Sequence, residues 1–338
     1  MMKLDFKKLL SPICLVLVLA VAAGRYGGSQ HWMLDLASHF LPHFALLLLV
    51  LAFVCVFSKK RVLVLTSILA AFIALEPVLP YLCALPQDRS VLSTDEAPLH
   101  FMQFNILAYN PVPDKIFDYI KAQNPDLVAL EEVTPEWRVR LEQAHWLGFK
   151  YRSIAYYGQN VLLSRYPITW ERAVRIPNGY FSDEYLLTRL ETQHGGLLVS
   201  VIHPPQPTNP TNVKMQRQYF EEVAAALTRF QQLFPQTPLL LAGDFNATPW
   251  SEPYRQFKQK KTSLLLNSLL LKLELGYGAS WPSFLGPFGI PIDHVWLDSA
   301  GGKLRVMIRQ TGAAPFQFLG SDHAPVDVLL TWKKSPER

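Results

Sequence analysis

The chain has 338 residues, half of them hydrophobic, with 32 Lys/Arg against 27 Asp/Glu and a formal charge of +5. Residues 1–90 hold 8 of those Lys/Arg and 4 of the Asp/Glu, so everything after them is close to neutral at +1 and gives no support to a polyanion-binding face. The three cysteines, Cys14, Cys55 and Cys83, all precede residue 85, which excludes a disulfide framework or a thiolate metal site from the later part.

Three apolar stretches come first, at residues 9–24, 36–57 and 62–82. Crossing a bilayer core takes about 20 apolar residues. The second stretch meets that length, and the third does so only by including Glu76 and Pro77. The first is short, and reads either as a span or as a signal peptide headed by Lys3, Lys7 and Lys8. Lys59, Lys60 and Arg61 form a basic loop between the second and third stretches. The positive-inside rule puts that loop and the basic terminus in the cytoplasm, and three spans then place the rest of the chain outside it. The expectation is a multi-pass protein of the cell (inner) membrane, held in the bilayer by residues 1–85, with a linker over 86–97 and an extracytoplasmic domain over 98–334. Glu76, near the end of the third stretch, reads as an interfacial acid.

In the domain, residues 99–106 (LHFMQFNI) read as a strand ending at Asn105, and Pro113-Asp114 opens a helix that Asn124-Pro125 stops. Residues 126–132 (DLVALEE) are a second buried strand, and 135–144 look helical. Further strands are read at 160–165, 196–203, 239–246, 292–298, 304–309 and 325–332, with a long amphipathic helix over 212–231. Successive strands without intervening helices argue against a doubly wound sheet and for two packed sheets with helices outside.

Polar residues collect where these apolar strands end. Residues 239–249 (LLLAGDFNATP) set the pattern: an apolar run halted by Gly243, then Asp244 and Asn246 two residues apart. Such a stretch reads equally well as a strand followed by an Asx-type turn. Asn105, Glu132, His203 and Asp293 occupy comparable positions, and Ser321-Asp322-His323 precedes the last strand. Glu132, Asp244 and Asp322, with Asn105 and Asn246, are hard oxygen donors that suit Mg2+ or Mn2+ rather than zinc. His294 should face away from Asp293 by strand alternation, and reads as structural.

These segments resemble the endonuclease/exonuclease/phosphatase superfamily, with its DNase I-like fold. The resemblance rests on FNI at 104–106, PDLVALEEV at 125–133, NVLLSRYPI at 160–168, VIHPP at 201–205 and GDFNATP at 243–249. It continues with SWP at 280–282, IDHVW at 292–296 and GSDHAPV at 320–326. One departure is Glu131-Glu132 where that family usually has Gln-Glu; position favours Glu132 as the ligand. The resemblance implies an α/β fold, a four-layer α/β/β/α sandwich with its site at one edge, preceded here by transmembrane helices. It implies a metal-dependent hydrolase of phosphate esters. Asn105, Glu132 and Asp322 would hold the metal, and Asp244, aided by Asn246, would deprotonate the attacking water. His323, oriented by Asp293, would donate to a phosphoryl oxygen, and His203 would serve the leaving oxygen. Trp281 reads as a groove residue or as core. The substrate stays open between a phosphodiester and a phosphomonoester, and among a nucleic acid, a lipid headgroup and a small molecule. The alternative of another class is a non-catalytic membrane scaffold.

Overall fold

The computed structural model describes residues 6–82, 98–155, 159–177, 179, 183–264, 278–300, 304–311 and 319–332. The linker expected at 86–97 lies outside the described residues, as does Cys83. The chain divides into two compact units, Met1–Ala84 with Thr248–Arg255, and Leu85–Ala247 with Gln256–Arg338.

The first unit is helical: α1 (Phe6–Tyr26), α2 (Trp32–Ser38), α3 (Leu41–Phe57), α4 (Arg61–Leu75) and the short α5 (Leu79–Leu82). Lys7–Tyr26 is long and apolar enough to cross a membrane. The second apolar stretch is not one straight helix, because α2 and α3 are bent by 63° at a break just before Pro42. The third gives only the 15 residues of α4, which stops short of Pro77. Among the described residues, one helix has the length and composition of a span, or two if the bent pair is counted as one; the three-span expectation is not supported. Glu76 has a partner, since Arg25 Nη2 lies 2.6 Å from its Oε2. Within the same unit the Thr248–Arg255 segment is pinned to α2. Asp35 Oδ1 accepts from Glu252 N at 2.9 Å, and Trp250 Nε1 donates to Ser38 O at 2.7 Å.

The second unit contains two mixed sheets. The first has the order β10 (Leu304–Thr311), β11 (Val326–Trp332), β1 (Leu99–Asn105), β2 (Leu127–Glu131), β4 (Val161–Ser164) and β3 (Tyr151–Ile154). The second runs β5 (Ile168–Arg175), β6 (Glu184–Thr192), β7 (Gly195–Ile202), β8 (Leu239–Asp244) and β9 (Asp293–Asp298). Strand alternation sorts each strand into two faces. Phe101, Leu127, Ala129, Leu197, Val199, Val201, Leu240, Ala242 and Leu297 fill the space between the sheets. Met102, Phe104, Val128 and Leu130 face outward, against α6 (Pro113–Gln123) and α7 (Pro135–Gln143). On the other side Phe220 of α8 (Pro210–Leu233) and Phe257 of α9 (Glu252–Leu264) pack with Phe245 and Trp296. The result is the expected α/β/β/α sandwich.

Three of these helices start alike, with Pro113, Pro135 and Pro210 in the first turn, where a missing N–H costs nothing. Asn209 Oδ1 caps α8 by accepting from Asn212 N at 2.9 Å. Strands β3, β5 and β6 and helix α9 were not anticipated. β5 lies at a sheet edge and is mostly exposed, so its sequence ITWERAVR carries charge where a buried strand would not.

Candidate active site

The inter-sheet face stays apolar until its last step. Continuing the same alternation, Phe101 leads to Gln103 and Asn105, Ala129 to Glu131, Val201 to His203, Ala242 to Asp244, and Val295 back to Asp293. A fully buried apolar side chain contributes about 1.5–3 kcal/mol, so each polar residue on this face forgoes that and needs hydrogen bonds in return. They supply them to one another. Asn105 Nδ2 donates to Glu132 Oε1 at 3.0 Å and to Asp244 Oδ2 at 3.2 Å, joining the two sheets. His203 Nε2 and His323 Nε2 each lie 3.6 Å from the same Asp244 Oδ2. His323 Nδ1 is 2.8 Å from Asp293 Oδ2.

Local backbone geometry aims several of these groups. Glu132 follows the end of β2 with φ of +61°, so alternation no longer governs it; its Oε2 accepts from Ala108 N at 2.9 Å, while Glu131 is fully buried. Asn246 has φ of +49°, and its N donates to Asp244 Oδ1 at 2.7 Å. The Asx-type turn read from the sequence is therefore present, and one carboxylate makes both the turn and the site. Ser321 Oγ donates to Asn105 O at 2.7 Å and accepts from His323 N at 3.0 Å, fixing the Ser321–His323 loop to the end of β1. His294 points away, its Nε2 2.9 Å from Ala247 O, as alternation required.

A family model described as the Endonuclease/Exonuclease/phosphatase family matches residues 102–323. The chain belongs to that family. Its fold is similar to the human Nocturnin catalytic domain with bound sulfate anion (19% identity over 70% of this chain and 95% of that one, TM-score 0.56). It is similar also to an endonuclease/exonuclease/phosphatase from Beutenbergia cavernae DSM 12333 (18% identity, 70% and 72%, TM-score 0.54) and to sphingomyelinase C from Streptomyces griseocarneus (17%, 69% and 99%, TM-score 0.51). No curated protein matches by sequence.

In this member of the endonuclease/exonuclease/phosphatase family the electrostatics separate the buried groups. Burial outweighs the nearby histidines and pushes the Asp244 carboxyl up to about 6. Burial alone would lower His323, but the Asp293 and Asp244 carboxylates more than offset it and raise the imidazole to about 10. Asp293, buried as well, is held below the usual carboxylate range by the His323 charge and by hydrogen bonds from His323, Ser280 and Gln103. The pair is a buried imidazolium–carboxylate couple. His203 is 18% exposed at its side chain, whereas Asp244 is fully buried.

A divalent cation fits these residues. Asp322 Oδ1 is buried without a hydrogen-bond partner, and carboxylate oxygens of Asp244 and Asp293 lie within 4.8 Å of each other, while the His323 imidazolium beside them has no lone pair to offer a metal. Carboxylates without thiolates suit a hard ion. The Asn105 side-chain oxygen accepts from Leu107 N at 3.1 Å and its nitrogen faces the acids, so in this arrangement the amide stands between two carboxylates. Asn246 Nδ2 donates to Pro204 O at 3.0 Å, so its amide braces the loop after His203. Trp281 Nε1 donates to Asp322 Oδ2 at 2.9 Å, which makes it a neighbour of an expected ligand. Sequence reasoning missed Gln103 and Ser280, and named Ser321 without giving it a role. For Gln103 the signal was available: a polar residue one alternation step below Asn105 on an otherwise apolar face.

Proposed function

We propose that this domain is a divalent-cation-dependent hydrolase of phosphate esters, diesters before monoesters, tethered to a membrane by the Lys7–Tyr26 helix. The observation that carries the reading is the convergence of His203 Nε2 and His323 Nε2 on Asp244 Oδ2. A carboxylate raised to about 6 is ionised near neutrality yet basic enough to take a proton from water. Asp244 orients and deprotonates the attacking water through the oxygen not used in its turn. His323, kept cationic by Asp293, donates to a phosphoryl oxygen and stabilises the charge that builds there. His203, at the solvent side, protonates the leaving oxygen. A Mg2+ or Mn2+ ion held by Glu132 and Asp322 supplies Lewis-acid polarisation of the phosphate when bound.

A lipid-headgroup phosphodiester is the favoured substrate class over a nucleic acid. Phe284 and Leu285 are 66% and 41% exposed on the short helix Ser283–Phe288, whose Ser283 N donates to Asp322 O at 2.7 Å. Large exposed apolar side chains beside the phosphate site suit a lipid better than a polyanion, and the near-neutral domain agrees. The test is a panel of DNA, RNA, phospholipids, sphingomyelin and simple diesters given to the full chain in detergent with Mg2+. Hydrolysis that disappears in both Asp244→Asn and His323→Ala, with folding retained, is expected. Full activity in those variants overturns the mechanism, and DNA or RNA as the preferred substrate overturns the lipid assignment.

A further inference from the structure

Beneath the site, Gln103 is completely buried on β1 and its single amide nitrogen contacts two acids from different strands. Nε2 donates to Glu131 Oε2 at 2.9 Å on the neighbouring β2, and to Asp293 Oδ1 at 2.9 Å across the inter-sheet space on β9. Asp293 uses its other oxygen, Oδ2, for His323 Nδ1 at 2.8 Å. An ionised carboxylate can only accept, so the amide must present nitrogen to it. With Gln103 on one oxygen and His323 on the other, rotation of the carboxylate about its Cβ–Cγ bond is opposed from both sides. The arrangement also spans both sheets, so the Asp293 carboxylate is referenced to the six-stranded sheet as well as to its own.

We propose that Gln103 is a positioning residue for catalysis, which acts through Asp293 to set the direction in which His323 Nε2 faces Asp244. This rests on the phosphoesterase reading above. Gln103 touches neither substrate nor metal in this scheme. Its amide is too deep, at 0% exposure, and both N–H groups are committed to the acids. Filling space would not require nitrogen, since Met has nearly the same length. Closing off Glu131 alone would not require a second bond across the sheets.

The test is a double-mutant cycle on the full chain in detergent, using Gln103→Met, Asp293→Asn and their combination. Gln103→Met is expected to lower kcat about 10-fold with KM changed less than twofold, because a small misdirection of a catalytic group costs rate rather than binding. In the Asp293→Asn background the same substitution should add little, since residues acting in series are not additive. Losses that multiply, or an unchanged kcat, overturn the proposal. Should Gln103→Met not fold, Gln103→Asn keeps an amide in the site but is one methylene too short to hold Asp293 from β1. It is expected to lose rate equally, and wild-type kcat in it refutes the role. The downfield Nδ1 proton of His323, assigned by its disappearance in His323→Gln, gives a readout independent of turnover. It should shift in either Gln103 variant, and an unmoved resonance overturns the proposal even if every tested ester proves not to be a substrate. Absence of hydrolysis by the wild-type chain would instead count against the phosphoesterase reading.

Discussion

A Cβ placed on Gly243 would lie 1.8 Å from the Ile202 carbonyl oxygen. These two residues are register partners on the parallel strands β7 and β8, and Gly243 has φ of +149°. The next residue on each strand is a site residue, His203 on one and Asp244 on the other. The close backbone approach at Gly243 is thus what brings a histidine from one strand to an aspartate on the next. Gly243→Ala should destabilise the domain by about 2–4 kcal/mol through backbone displacement and an unfavourable φ. Urea unfolding would read this, and hydrolysis should fall further than stability alone explains. A variant with an unchanged midpoint would show that the strands can separate there at little cost.

Asn105 stands between two carboxylates, donating to Glu132 at 3.0 Å and to Asp244 at 3.2 Å. Asn105→Leu leaves both acids without that donor, and kcat should drop by about 100-fold as the groups move out of register. Asn105→Asp adds a third negative charge at the same place. It should bind Mn2+ more tightly than the native chain while turning over more slowly. Calorimetric titration with Mn2+ beside steady-state kinetics separates the two effects, and weaker binding in Asn105→Asp would remove Asn105 from between the acids.

Most of the sandwich was legible because its buried strands announce themselves. LLLAG, GLLVSVI and LVALE are apolar runs bounded by turn residues, and each became a strand. The site was legible for the same reason, since Asn105, His203, Asp244 and Asp293 continue the inter-sheet alternation of those runs. What the sequence hid is what depends on contact across space. Trp281 could not be tied to Asp322 without the fold that places residue 281 beside residue 322. The orientation of the Asn105 amide depends on Leu107 N, a turn effect with no pattern of its own. The exposed β5 and the bent helix pair α2–α3 escaped because edge exposure and a proline break are invisible to hydropathy summed over a window.

Trp281 gives a way to separate ligand orientation from substrate contact. Its indole N–H holds Asp322 Oδ2 at 2.9 Å, while Asp322 Oδ1 is buried without a partner. Partners that orient metal ligands typically contribute about 10–100-fold in metal affinity or activity. Trp281→Phe keeps an aromatic ring and loses only the donor, so the Mg2+ concentration for half-maximal activity should rise about 10-fold with KM for the ester nearly constant. The opposite split, KM raised and cation dependence unchanged, would return Trp281 to the substrate groove.

The His323–Asp293 couple should also be visible in the pH dependence of stability. His323 is raised from 6.5 to about 10 in the folded chain, so its contribution is fully present below pH 6.5 and is lost as pH climbs through about 10. Asp293 is depressed, so its share is present above the ordinary aspartate range and is lost as pH falls through its folded value. Asp244, raised to about 6, works in the other sense. Its ionisation costs stability as pH rises from about 4 to about 6, and the same loss of a proton should make cation binding strengthen over that interval. Comparing wild type with His323→Gln reads the first effect above about pH 6.5, where the difference in unfolding free energy should shrink steadily towards pH 10. A difference that stays constant across that alkaline range would mean that His323 is not held as an imidazolium, and its assignment as the donor to a phosphoryl oxygen would fail with it.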